Sequence, residues 1–342
     1  MTKSSPSRGR GRGVVLGCVA TVLFLLAGCG GGGGGDAALG RPGETTTTVP
    51  VQFPLTGRPV SDPDKLNRPA LSVKIDNISA ARPQAGIDAA DVVYEEFTEG
   101  ITRFIVVFHS TDAETVGPVR SVRPADPVII TPLGGVFAFS GGSPPIVQLA
   151  QRAPAVIVTE NDTDVLRRRS GRSAPHNLYT STEGLFSKAS DEGPPPAFAS
   201  FLRDGQGFAA AGAVPAAGVS VQAAPGVAAD YDWDPAGGTW KRTTDGQVHT
   251  LEGGSQIAPS TVIVQFTPYT TFAADPQVRY PEVTGTGEAW IFAAGQLVRG
   301  SWAKGSGGDV TDFTDAAGAP VVLPPGQTWV HLVAPGSAVV PR

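Results

Sequence analysis

Arginine is the residue type whose spacing points to chemistry in this 342-residue chain. Arg120 and Arg123 stand three apart, a separation that puts both on one side of a helical turn. Two planar guanidiniums aimed the same way suit a carboxylate or a phosphate. Gly117-Pro118 before them and Pro124 after them make the segment a loop rather than a regular helix, which favours a site. A hairpin supplies a second candidate: Val92 to Thr98 and Ile101 to His109 are β-rich runs divided by the two-residue turn Glu99-Gly100. Counting back from that turn sets Glu96 opposite Arg103 as a cross-strand ion pair, with Tyr94, Ile105, Val107 and His109 on the same face. A slip of one residue would put Glu95 there instead of Glu96. Arg103 and His109 then either contact a ligand, oriented by the carboxylate, or serve a strand-strengthening salt bridge and a strand end. Arg167, Arg168, Arg169, Arg172 and His176 form the one dense basic run, read either as a solvated loop or as part of a site. The expectation is one anion-accepting cleft drawing on Arg82, Glu96, Arg103, His109, Arg120, Arg123, Arg172 and His176.

Other chemistries find less support. Asp76, Glu95, Glu96 and Glu99 could furnish the two carboxylates of glycoside hydrolysis, but nothing in the sequence fixes their separation. Ser140-Gly141-Gly142-Ser143 does not match the G-x-S-x-G elbow; before a helix it offers backbone N–H groups to an anion, or simply an N-cap at Ser143. The four histidines, His109, His176, His249 and His331, are scattered without an H-E-x-x-H pair. Asp230, Asp232 and Asp234 alternate as if on one strand face, yet lack the glycine and terminal glutamate of a calcium loop. No catalytic residue, metal or cofactor is expected. Five tryptophans, Trp233, Trp240, Trp290, Trp302 and Trp329, all fall in the second half. They fill a β-core, or one or two stack on sugar rings of the cell-wall glycan.

The N-terminus reads as an export signal. Lys3, Arg8, Arg10 and Arg12 precede an apolar run from Val14 to Ala27, too short for the roughly 20 residues of a membrane span. Leu26-Ala27-Gly28-Cys29 resembles the lipobox of bacterial lipoproteins, which implies cleavage after Gly28 and a lipid on the Cys29 sulfur. Cleavage of 28 residues from 342 leaves 314 and removes Cys18, the only other cysteine, so no internal disulfide is available. It also removes four of 26 basic residues and none of 31 acidic ones, taking the net charge from −5 to −9. Such a chain is a poor nucleic-acid partner.

The organisation follows from composition. Residues 1–28 are the signal peptide. Residues 29–52 carry the lipidated cysteine and a Gly/Thr tether with a reach of about 25 to 30 Å. Residues 53–204 alternate strands and helices: Leu71, Val73 and Ile75 mark a strand, Asp126-Pro127 an N-cap opening a helix, Val136 to Ser140 and Ala155 to Thr159 further strands, with a helix from Pro144 or Pro145 and another over Ala197 to Arg203. An Ala/Gly/Pro-rich linker covers 205–226. Residues 227–342 are short strands between Gly, Pro and Asp turns, a sandwich or barrel. The fold class is α+β, with a mixed first domain and a β-rich second.

Val73-Lys74-Ile75-Asp76-Asn77, Ala81-Arg82-Pro83-Gln84, Ala90-Asp91-Val92-Val93-Tyr94-Glu95, Ile101-Thr102-Arg103-Phe104, Gly117-Pro118-Val119-Arg120-Ser121, Pro175-His176-Asn177-Leu178-Tyr179 and Pro325-Gly326-Gln327-Thr328-Trp329 together resemble the YerB-like family of bacterial lipoproteins. The resemblance spans Phe53 to the C-terminus. It implies a lipoprotein of two consecutive domains, and no catalytic residues, because the family's function is unknown. The reading is an extracytoplasmic binding or assembly module, lipid-anchored on the outer face of the cell membrane. Its partners are then an envelope protein or the cell-wall glycan. The alternative is an envelope-glycan hydrolase or transferase using the first-domain carboxylates.

Overall fold

The computed structural model describes residues 50–342, apart from 191 and 225. The expected signal peptide, Cys29 and nearly all of the expected 29–52 tether lie outside them. None of the described helices is long and apolar enough to cross a membrane.

The first half contributes five strands, β1 (Leu71–Asp76), β2 (Val92–Thr98), β3 (Ile101–Phe108), β4 (Val136–Ala138) and β5 (Val156–Val158). Short helices lie before, between and after them: α1 (Pro63–Leu66), α2 (Asp126–Ile130), α3 (Pro144–Ala150) and α4 (Thr182–Phe186). The second half adds β6 (Gly218–Ala224), β7 (Val227–Asp234), β8 (Thr239–Thr244), β9 (Thr261–Phe266), β10 (Gly285–Ala293), β11 (Gln296–Lys304), β12 (Asp312–Thr314), β13 (Thr328–Val333) and β14 (Ala338–Pro341).

One long sheet crosses both halves in the order β12-β11-β10-β9-β13-β2-β3-β1-β4-β5. The join is β13, which runs parallel to β2 on one side and to β9 on the other, with His331 facing Glu95 across one ladder and Val264 across the other. On one face lie α2, α3 and an apolar layer that includes Ile105, Val107, Ile129, Ile146, Phe137 and Val330. The opposite face is covered near β1 and β3 by α4 and the segments around Leu166 and Leu178. Near β9 it is covered by a second sheet, Gln247–Val248 with β8, β7, β6 and β14. The second half is therefore the expected sandwich, with Val219, Tyr231 and Trp240 packed on Val262, Val264 and Phe292.

The hairpin forms in the counted register: Glu99 and Gly100 both take positive φ, 51° and 84°, Thr98 faces Ile101 and Glu96 faces Arg103. A primed turn of this kind matches the twist of the flanking strands. Two expected features differ. Ala197 to Arg203 is not helical; Ser200–Phe201 pairs in parallel with Val322–Leu323, a partner more than a hundred residues away that no local pattern reveals. Asp126 lies one residue inside α2 rather than capping it, because its carboxylate is drawn into the sheet by Lys74. Trp240, Trp302 and Trp329 are wholly buried. Trp233 leans on Trp240 with ring centroids 4.9 Å apart, and Trp290 lies beneath the Arg299 guanidinium at 4.7 Å. Asp230 and Asp232 meet Arg342, and Asp234 meets Lys241.

Between the two halves runs a buried polar network centred on Glu95 of β2 and Arg242 of β8. The guanidinium reaches both carboxylate oxygens at 2.8 and 3.1 Å, and Trp329 Nε1 donates to the same carboxylate at 2.9 Å. Burial would raise the Glu95 carboxyl, but the Arg242 charge and hydrogen bonds hold it down at about 2. Arg242 also donates to the Tyr231 hydroxyl, which in turn meets His331 Nε2 at 2.9 Å. His249 accepts from Arg242 Nε and donates to Gln84 Oε1; burial and then the Arg242 charge depress its pKa to about 2, so it stays neutral. Removing one member of a buried pair strands the other charge, at a cost of about 3 to 5 kcal/mol. Arg242→Met should lower urea-unfolding stability by that amount. Adding Glu95→Gln should recover part of the loss, and strict additivity of the two would contradict the coupling.

Candidate functional site

Strand alternation sends Glu95 to the network above and Glu96 to the opposite face, where the arginines gather. The register there holds, but the partner differs from the expected one. Glu96 pairs with Lys74 of β1, whose wholly buried ammonium also meets Asp126 Oδ1 at 2.7 Å. An ammonium taken out of water needs counter-charges, and Lys74 takes both carboxylates within reach. Arg103 is left without one: it is 4% exposed and, among the described residues, has no carboxylate within 4.0 Å and only a long hydrogen bond from Nη1 to the Ser121 carbonyl at 3.4 Å. Its Nε is buried with no acceptor, and across the ladder Glu96 Oε2 is buried with no donor. Burial, then the charges of Arg123 and Arg120, depress the Arg103 pKa to about 10.

Around Arg103 the neighbours are fixed. Asp76, wholly buried and facing Arg103 across the β1–β3 ladder, accepts from Arg120 Nε at 2.9 Å and meets His176 Nδ1 at 2.7 Å, both on Oδ2. The structure therefore unites Arg120 and His176, which are far apart in sequence, on one carboxylate that faces Arg103 across the ladder. Arg123 lies beside them with all three nitrogens engaged, on Thr98 Oγ1, the Val122 carbonyl and Glu99 Oε2. It braces the hairpin turn.

The remaining expected residues lie elsewhere. Arg82 holds the Asn77 side chain and carbonyl and reaches Asp245 at 2.8 Å. Arg172 donates to the carbonyls of Ala81 and Pro83 and lies 3.3 Å from Glu252. Both tie the first half to the second. His109 sits at the far end of β3, about 20 Å along the strand from Arg103 at ~3.3 Å per residue. It is wholly buried against Phe53 with Nε2 on the Leu66 carbonyl, and burial depresses its pKa to about 4. Its place on the shared face is a packing position, not part of the cleft.

Lys74 and Asp76 were the members that sequence patterning under-read. Their signal was a lysine and an aspartate within an apolar strand that turns out to be buried on both faces. Two other hollows show no unmet charge of this kind. A cavity of about 220 Å³ between the hairpin tip and the second sheet is walled by Glu95, Thr102, Thr244 and His331, whose polar atoms are already partnered. A groove of about 1020 Å³ lies beside α1 and α4, where Arg68 is paired with Asp112.

With this geometry in view, comparison with known proteins places the chain. Residues 55–195 match the N-terminal domain, and residues 219–330 the C-terminal domain, of a family described as a protein of unknown function, DUF3048. The two matches together span most of the chain, which belongs to this two-domain family. It is similar, at 28% identity over 325 residues, to a Bacillus subtilis (strain 168) protein described as "Putative lipoprotein YerB", covering 91% of this chain and 92% of that one. The crystal structure of YerB protein from Bacillus subtilis superposes with a TM-score of 0.72 at 25% identity, covering 85% of this chain and 99% of that one.

The Lys74 cluster makes a pH prediction. Burial, reinforced by the Glu96 charge and opposed by Lys74, raises Asp126 from 3.8 to about 7, and burial raises Asp91 to about 6. Carboxyls raised in the fold bind protons more tightly there than in the unfolded chain. Their stabilising contribution is full below about 4 and is lost as pH rises through 6 to 7. The buried imidazoles of His109, His249 and His331 are held below their usual range and act in the opposite sense over the same interval, so the carboxyl contribution is read by difference. The urea-unfolding stability of the wild type relative to Asp126→Asn should fall between pH 5.5 and pH 8. A difference that stays constant or grows with pH would contradict the assignment.

Proposed function

We propose that this protein is a binding or assembly module of the cell envelope, lipid-anchored through Cys29 on the outer face of the membrane, whose first half accepts a singly charged anion between Arg103, Arg120 and His176. One observation carries the reading: a nearly buried guanidinium with no carboxylate within 4.0 Å among the described residues. Burying an unpaired charge costs several kcal/mol, and a protein keeps one where something else supplies the partner. Charge arithmetic gives the ligand its valence. By pairing, Arg123 is engaged by Glu99, Arg120 by Asp76, and Lys74 by Glu96 and Asp126, which leaves the single charge of Arg103 with no carboxylate within 4.0 Å among the described residues. A monoanion with two oxygens, a carboxylate or a phosphodiester, matches that charge and the open Nη atoms of Arg120. The lipobox-like sequence, the tether and the description of the Bacillus relative support the anchored setting.

The hydrolase reading based on paired carboxylates has less to stand on. Glu95 and Glu96 face opposite sides of the sheet, and Asp76 and Glu96 are each occupied by basic partners.

Arg103→Met separates function from stability. Losing charge-assisted hydrogen bonds of about 1.5 to 3 kcal/mol should weaken binding of dimethyl phosphate or acetate to the full chain about 10- to 100-fold in calorimetry. Removing an unmatched buried charge should leave thermal stability equal or higher. Unchanged binding with an intact fold would place the ligand elsewhere.

A further inference from the structure

We propose that the anion site is also hydrolytic, with His176 as the base that activates water against a phosphodiester; the inference rests on the binding site proposed above. The Asp76 carboxylate accepts, so the hydrogen bond at 2.7 Å puts a proton on Nδ1, and in the neutral ring the lone pair is then on Nε2. Nε2 has no partner among the described residues, and it is absent from the buried polar atoms that lack one, so it faces solvent. The ring is 18% exposed while Asp76 behind it is wholly buried. A histidine oriented by a buried carboxylate, with its other nitrogen free, is the arrangement of a general base.

Arg120 shares the same Asp76 oxygen, which fixes guanidinium and imidazole relative to each other. Its two Nη atoms have no partner among the described residues, and Arg103 faces Asp76 from the next strand. Donors for the oxygens of a bound phosphate therefore stand beside a proton acceptor for its attacker. No serine or threonine hydroxyl bonds to His176 among the described residues, so the nucleophile is water.

Charge selects the substrate class. A carboxylic ester is neutral and leaves Arg103 unmatched, a phosphomonoester brings up to two charges, and a phosphodiester brings one. In the step, the water oxygen forms a bond to phosphorus while its proton moves to His176 Nε2. The bond from phosphorus to one ester oxygen breaks, and that oxygen leaves with the electron pair and takes a proton from solvent. The new monoester and His176 each return to their resting protonation by exchange with solvent. Negative charge on the phosphoryl oxygens grows in the transition state, where the guanidiniums meet it. Asp76 acts through His176 and is a positioning residue.

The test incubates the full chain with bis(p-nitrophenyl) phosphate in one arm and phosphatidylglycerol vesicles in the other, and follows monoester formation by phosphorus NMR. Calorimetry with dimethyl phosphate is run alongside. Expected is monoester in at least one arm, the productive arm telling a soluble diester from a lipid headgroup. His176→Asn can keep the bond to Asp76 and leaves Arg103 and Arg120 in place, so it should weaken dimethyl phosphate binding far less than Arg103→Met does, while losing about 100-fold or more of the rate. His176→Ala should regain turnover when imidazole is added. Binding without turnover in either arm overturns hydrolysis and leaves the binding site standing, whereas no binding of dimethyl phosphate overturns both. Turnover that survives in His176→Asn overturns the role of His176.

Discussion

The contact between Glu95 and Arg242 is the interaction on which the two halves of this protein depend. It spans 147 residues of sequence, lies in the interior, and is surrounded by aromatic rings: Trp329, Tyr231 and Phe104 all lie within 6 Å of the guanidinium carbon. In water such a pair contributes little. Inside, the two charges have no alternative partner, so the second sheet can dock in one position only. Arg82 on Asp245 and Arg172 on Glu252 repeat the same link nearer the surface.

Against that matched pair, Arg103 stands out by contrast. Both arginines are removed from solvent, and the fold supplies Arg242 with a carboxylate, a hydroxyl and three rings, but gives Arg103 one distant carbonyl. The difference follows from strand alternation. Glu95 and Glu96 are adjacent and chemically alike, yet one faces β8 and the other faces Lys74. Lys74 captures the carboxylate that would otherwise neutralise Arg103. A lysine in the middle of β1 thus keeps a guanidinium on β3 open.

Much of this was legible in the sequence where the determinant was local. The Glu99-Gly100 turn set the register of β2 and β3 correctly, and the alternating strands and the sandwich of the second half followed from patterning. The pairing of Glu96 was not legible, because its partner comes from another strand, and adjacency of β1 to β3 is a property of the sheet. The same limit hid the junction: His249, His331, Tyr231 and Arg242 look scattered when read along the chain and converge only when β13 is laid beside β2. Arg120 and His176 were both singled out, but their common anchor, Asp76, could be found only in three dimensions.

The position of β13 bears on how the chain acquires its structure. Residues 328–333 fill the gap between strands 92–98 and 261–266, so the centre of the long sheet is completed by a segment that follows both of its neighbours in the sequence. Until it arrives, β2 is an open edge and Glu95 lacks Trp329 and His331. Pairings between such distant segments incur their loop-closure entropy before they return any energy, which slows folding and makes it a single late event. The two family segments are consecutive along the sequence, yet neither holds a complete copy of its own sheet.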